Sequence, residues 1–226
     1  MKKWTGFATR FCIFIMPTKT ACHPKRSEGS KPGILRHRTP QDDKAKINRL
    51  VFIDRDGVIN VDPIGDYIKT WKQFRFERGA LSALKKLTER DYKIILISNQ
   101  AGIGDGVYPE PALWDIHEKM LGVFKKRGIK IRASYFCLHG KQAGCKCRKP
   151  ETGLFKKAVK GIRFDRKKTF FIGDKLTDIE AGKRFKIRTI LVRTGHGKSD
   201  ELKLTPELQP DYIVNRLPDA VKLLAG

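Results

Sequence analysis

Two aspartates, Asp54 and Asp56, stand two positions apart in LVFIDRDGVIN, directly after an apolar run. Positions i and i+2 of an extended chain face the same side, so both carboxylates emerge together where a strand ends. A second acidic pair, Asp174 and Asp178, follows another apolar run in TFFIGDKLTD. Carboxylates gathered in one crevice repel one another unless a cation or a set of donors offsets them. A hard divalent cation such as Mg2+ suits that need: it takes a few carboxylates, keeps several waters and accepts a phosphate oxygen, with no His or Cys required. The plainer alternative, a pair of aspartates capping a loop, leaves the second acidic cluster without a reason.

CLHGKQAGCKC carries a different metal chemistry. Cys137, His139, Cys145 and Cys147 offer three thiols and one imidazole within eleven residues, the donor set of a closed, tetrahedral, structural Zn2+ site. A disulfide reading leaves one thiol over and needs an oxidising compartment. Cys12 and Cys22 lie far from this group.

These residues need a scaffold that brings them together. From Ile47 onward, apolar runs alternate with amphipathic segments, the pattern of a parallel sheet covered by helices. RLVFID, KIILIS, ASYFCL, TFFIGD and RTILVR read as strands, with DYIVN a sixth. GALSALKKLTERD sets Leu81, Leu84 and Leu87 on one helical face, and EPALWDIHEKMLGVFKKRG does so with Leu113, Ile116, Met120 and Phe124. The strands end in Asp54, in Ser98 followed by Asn99 and Gln100, in Cys137 and in Asp174. In an α/β doubly wound parallel sheet, ligands bind beyond the carboxyl ends of the strands, so these polar residues are expected to line one crevice. QAGIGDG lets the backbone turn closely there, but it lacks the pattern of a nucleotide P-loop.

DRDGVIN, SNQAGIGDG, CRKPETG and GDKLTDIEAG, in this order, resemble the haloacid dehalogenase superfamily of phosphotransferases, in the branch that acts on heptose bisphosphates and histidinol phosphate. The resemblance spans residues 48 to 226. It implies a Rossmann-like fold, and the short intervals between the motifs leave no room for a large cap domain. It also implies that Asp54 is a nucleophile forming an aspartyl-phosphate and that Asp56 is the general acid and then the base. By the same resemblance, Asp54, Asp174 and the backbone carbonyl of Asp56 hold Mg2+. Ser98 and Asn99 meet the transferred phosphoryl group, Lys149 balances its charge, and Arg148 faces the leaving-group side; Lys175 and Asp178 support the site. The branch has a zinc loop of the same kind, although the five residues between His139 and Cys145 make this one short.

The expected activity is a Mg2+-dependent phosphomonoesterase acting on a small phosphorylated sugar, foremost the 7-phosphate of D-glycero-D-manno-heptose 1,7-bisphosphate. Histidinol phosphate and a nucleic-acid 3′-phosphate are rival substrates, and a catalytically inactive, zinc-stabilised basic binding module is a reading of another class. The net charge of +24 over 226 residues favours phosphate-bearing partners. The absence of aromatics clustered with Lys and Arg speaks against nucleic acid. No stretch is long enough for a membrane span. Residues 11 to 16 are too short for a secretory signal, so a soluble, cytoplasmic protein is expected. Residues 1 to 46, polar and basic without periodicity, read as a disordered extension ahead of one catalytic domain, residues 47 to 226, or as a start-site artefact.

Overall fold

The structure, a computed structural model, describes residues 47–224. The extension expected over residues 1 to 46 lies outside them.

Six strands form the sheet: β1 (Leu50–Ile53), β2 (Lys93–Asn99), β3 (Ile131–Cys137), β4 (Phe170–Gly173), β5 (Arg188–Val192) and β6 (Tyr212–Val214). All five pairings are parallel, in the order β3-β2-β1-β4-β5-β6. The helices are α1 (Ala80–Glu89), α2 (Ala101–Gly104), α3 (Glu110–Lys126), α4 (Gly153–Ala158), α5 (Leu176–Arg184), α6 (Gly197–Glu201) and α7 (Leu217–Leu223).

Continuous apolar strands require cover on both faces, and both faces are covered. Alternate residues of β1 separate the two layers. Val51 and Ile53 pack with Leu84 and Leu87 of α1, Met120 and Phe124 of α3, and Val221 of α7. Leu50 and Phe52 pack with Leu154 and Phe155 of α4 and Ala181 of α5. The expected helical faces are therefore core faces, with Leu81 only partly buried at the edge of its own.

The chain leaves β1 in one direction, through β2 to β3, then returns to the other side of β1 with β4. This reversal opens a crevice between the carboxyl ends of β1 and β4, where Asp54 and Asp174 follow their strands. The glycine-rich segment after β2, expected from the sequence to turn closely there, contains the single turn α2. Gly102 is required there, because a Cβ at that position would come within 2.5 Å of the Tyr108 ring. No helix among the described residues is long and apolar enough to cross a membrane.

Candidate active site and metal clusters

Asp54, Asp174 and Asp178 bring carboxylate oxygens within 4.8 Å of one another, and all three are buried. Asp54 Oδ1 accepts the Arg55 N–H at 2.8 Å, while Asp54 Oδ2 lies 3.0 Å from Lys149 Nζ. Asp178 sits in the first turn of α5. Its Oδ2 accepts the N–H groups of Asp174 and Lys175 at 3.2 and 3.1 Å, and its Oδ1 pairs with Lys149 Nζ at 2.7 Å. Asp178 is thus both a helix cap and a member of the cluster, which unites the two roles its sequence position allows.

Lys149 reaches this floor from the far side of β2, where its ammonium also donates to the Ile97 carbonyl at 3.1 Å. Burial penalises its charge, but Asp178 and Asp54 outweigh that penalty and hold the ammonium protonated. Asn99 locks the lysine's backbone in place by accepting from Lys149 N at 3.0 Å and donating to Lys149 O at 3.1 Å.

Asp174 is the carboxylate left underserved. Its Oδ2 accepts the His196 N–H at 2.9 Å, whereas its fully buried Oδ1 has no partner among the described residues. Burial raises its pKa well above the usual carboxylate range, and the charges of Asp178 and Asp54 push the same way. Gly57 and Gly195, both at positive φ, close around it: a Cβ at either would stand 2.1 or 2.2 Å from Asp174 Oδ2. Three crowded carboxylates, one with a free oxygen, against one lysine at hydrogen-bond range form the donor set a hard divalent cation fits.

Asp56 faces the same pocket but belongs to a different network. Its Oδ1 accepts from Arg55 Nε at 3.1 Å and Asn60 Nδ2 at 2.9 Å. Its Oδ2 accepts from Arg55 Nη2 at 2.9 Å and Gln100 Nε2 at 2.7 Å. Burial opposes ionisation, yet Arg55 and these hydrogen bonds hold the carboxyl below its ordinary range.

The pocket above has a volume of about 430 Å3. Ser98, Asn99, Lys149, Arg148, Lys141, Asp62, Lys175 and His196 are among the residues that line it. Arg148 Nη1 is buried without a partner among the described residues. Lys175 is no free surface lysine: it pairs with Asp62 at 2.8 Å. Sequence reasoning named neither Asp62 nor His196, and it gave Arg55 no role.

The Cys137, His139, Cys145 and Cys147 donors also converge. Their sulfur–sulfur separations are 3.4 to 3.5 Å, far beyond a disulfide bond. His139 Nδ1 lies 3.1 Å from Cys147 Sγ and 3.6 Å from Cys137 Sγ. Tetrahedral zinc thiolate geometry puts ligand atoms about 3.8 Å apart, close to what the protein presents. Burial pushes the Cys137 thiol up, an arrangement a bound cation would relieve.

A parallel sheet with this carboxylate and lysine floor at its switch point defines a hydrolase of the haloacid dehalogenase-like class. A family profile described as HAD-hydrolase-like matches residues 146–220. D-glycero-beta-D-manno-heptose-1,7-bisphosphate 7-phosphatase of Pasteurella multocida is 33% identical over 187 residues, which cover 80% of this chain and 98% of that relative. The D,D-heptose 1.7-bisphosphate phosphatase of B. bronchiseptica, crystallised with magnesium and phosphate, superposes with a TM-score of 0.73 at 29% identity, covering 78% of this chain and 98% of that one. The histidine biosynthesis bifunctional protein HisB of Campylobacter jejuni is 36% identical over 132 residues, 58% of this chain but only 38% of its own length. The chain belongs to the haloacid dehalogenase-like hydrolase family, and it is a phosphatase.

Proposed function

We propose that the chain is a Mg2+-dependent phosphomonoesterase that removes the 7-phosphate of D-glycero-D-manno-heptose 1,7-bisphosphate through an aspartyl-phosphate on Asp54. The observation that carries this reading is the buried Asp54 carboxylate, neutralised by Lys149 at 3.0 Å beneath a pocket that also exposes Ser98, Asn99 and Arg148. Asp54 attacks phosphorus, and the bond from phosphorus to the leaving sugar oxygen breaks as Asp56, whose carboxylate takes up a proton when the anionic phosphate arrives beside it, supplies that proton to the oxygen. Asp56 then takes a proton from water as the water attacks the acyl phosphate, returning Asp54 and releasing phosphate.

Lys149 and the Ser98 hydroxyl bind the phosphoryl oxygens, so charge is balanced where it develops. Asp54, Asp174 and the Asp56 carbonyl would hold Mg2+, with Asp178 beside them. When bound, the ion offsets the charge of nucleophile and phosphoryl group together. Cys137, His139, Cys145 and Cys147 would hold Zn2+ in a structural role and fix the backbone just before Arg148 and Lys149. Arg148, with a buried N–H to spare, suits a second anionic group on the substrate.

Phosphate release with Mg2+, measured across heptose bisphosphate, histidinol phosphate, nucleotides and 3′-phosphorylated DNA, tests the reading. Heptose bisphosphate is expected to give the highest kcat/KM. A higher value for histidinol phosphate would move the chain to the rival substrate.

A further inference from the structure

Asp54 and Asp56 face the pocket, so the residue between them points the other way, into the protein. That residue is Arg55, only 1% exposed and among the largest side chains fully buried in the described domain. A buried guanidinium is costly unless its donors are used. Nε and Nη2 make three hydrogen bonds, while Nη1 is buried with no partner among the described residues. Nε and Nη2 form a two-pronged fork on the two oxygens of Asp56, and Nη2 also donates to Gln100 Oε1 at 3.0 Å. The Arg55 carbonyl in turn accepts the N–H groups of Ile59 and Asn60 at 2.9 and 3.2 Å, which closes the tight loop that brings Asn60 onto Asp56.

The fork is asymmetric in a telling way. The Arg55 side chain is 2% exposed, whereas its partner Asp56 is 17% exposed and faces the pocket. Charge neutralisation alone needs only a cation nearby. A planar guanidinium gripping both oxygens also fixes the plane of the carboxylate, which a lysine does not do. Gln100 braces the same carboxylate from the side and is itself held by Tyr108, whose hydroxyl donates to Gln100 Oε1 at 2.7 Å. Gln100 Nε2 also reaches Ser98 Oγ at 3.0 Å. One amide therefore ties the Asp56 carboxylate to the residue on the phosphoryl side of the pocket.

We propose that Arg55 is a positioning residue: its guanidinium fork, braced by Gln100, fixes the plane of the resting Asp56 carboxylate, and one of these contacts is given up when the carboxyl takes up the proton that it delivers to the leaving oxygen. This rests on the reading of Asp56 as the general acid. It assigns Arg55 no contact with substrate.

The test separates the proposal from that reading by leaving-group dependence. kcat/KM reports events up to the first irreversible step, here phosphoryl transfer to Asp54. A sugar or alkyl phosphate needs a proton on its leaving oxygen in that step, and p-nitrophenyl phosphate does not. Asp56→Asn is expected to lose kcat/KM for the alkyl phosphate selectively; equal losses on both substrates would overturn the general-acid reading itself. Given that selective loss, Arg55→Lys, which keeps the charge but not the fork, is expected to lower alkyl kcat/KM at least about ten-fold, part of the range general acid catalysis supplies, and aryl kcat/KM less than about three-fold. Inorganic phosphate binding is expected to be unchanged. A simple loss of folded protein would move both substrates equally, so the ratio is insensitive to it. Should Arg55→Lys fail to fold, Arg55→Gln, which buries no charge, carries the same comparison. Equal losses on both substrates, or none, in the Arg55 variants would overturn the positioning role while leaving Asp56 as the acid.

Discussion

Lys149 Nζ lies 2.7 Å from Asp178 Oδ1, with both side chains at most 2% exposed. The lysine also serves Asp54, so one buried cation holds two of three crowded carboxylates. Removing one member of a buried pair leaves an uncompensated charge, at a cost of about 3–5 kcal/mol.

Lys149→Met is therefore expected to destabilise the domain by about 3 kcal/mol or more without metal, and Mg2+ is expected to restore part of that by binding the folded state. Turnover should fall roughly 10²–10³-fold, the scale of a lost transition-state donor. Urea unfolding with and without Mg2+ checks the first part. A loss of stability indifferent to Mg2+ would count against a cation among these carboxylates.

Asp54→Asn keeps the shape of the side chain and removes the proposed nucleophile. Activity should drop by at least about 10⁴-fold, while the unfolding midpoint stays near that of the wild type, since the change also relieves repulsion with Asp174 and Asp178. Rapid-quench labelling should find phosphate covalently bound to the wild type and none on the variant. Covalent phosphate on Asp54→Asn would place the nucleophile elsewhere.

What could be read in the sequence is what strand ends and short spacings encode. Asp54, Ser98 and Asp174 were legible because each ends an apolar run, and the cysteine cluster because its four donors lie within eleven residues. Pairings between distant segments carry no such signal. Lys175 and Asp62 meet across 113 positions, and His196 serves Asp174 through its backbone N–H, a contribution any residue type could make. Arg55 was hidden for another reason. A charge inside a polar motif reads as solvated, and only the fold shows that alternation turns it inward.

The cluster of Cys137, His139, Cys145 and Cys147, proposed to hold zinc, should act through stability. Cys145→Ala is expected to lose the metal, about one zinc per chain by elemental analysis. The cost should be on the order of 3 kcal/mol, which for a domain of this size lowers Tm by roughly 6–12 °C. Activity should decline with it, because Cys147 is bonded directly to Arg148 in the chain. Metal-free protein of unchanged Tm would remove the structural role.

His117 predicts an acid-sensitive step in stability. It is 2% exposed, and its ring packs edge-on against Phe136 at 5.0 Å. Burial first, and the charge of Arg55 second, lower its pKa to about 4. The unfolded chain takes up this proton near the ordinary imidazole value of 6.5, so between those values the unfolded state binds more protons and stability falls as pH drops. The full penalty, roughly 3 kcal/mol, is present below about pH 4. His117→Phe is expected to flatten that part of the stability curve relative to wild type. Parallel curves for the two proteins between pH 4 and 6.5 would show that His117 is not buried as the neutral form.

Substrate choice is expected to turn on Arg148. Arg148 lines the pocket, its Nη1 is buried with no acceptor among the described residues, and a guanidinium with donors to spare gains from an anionic ligand group that brings its own acceptor. A bisphosphate offers one phosphate to Asp54 and Lys149 and a second to this guanidinium; a monophosphate leaves the guanidinium unused. Arg148→Ala should then cost about 1.5–3 kcal/mol, or roughly ten- to hundred-fold in kcat/KM, for heptose bisphosphate. The loss should be much smaller for a sugar monophosphate. Because the second phosphate is held alike before and during phosphoryl transfer, the effect should fall mainly on KM. Equal losses for both substrates would instead assign Arg148 to the transferred phosphate, and the preference for a bisphosphate would need another source in the pocket.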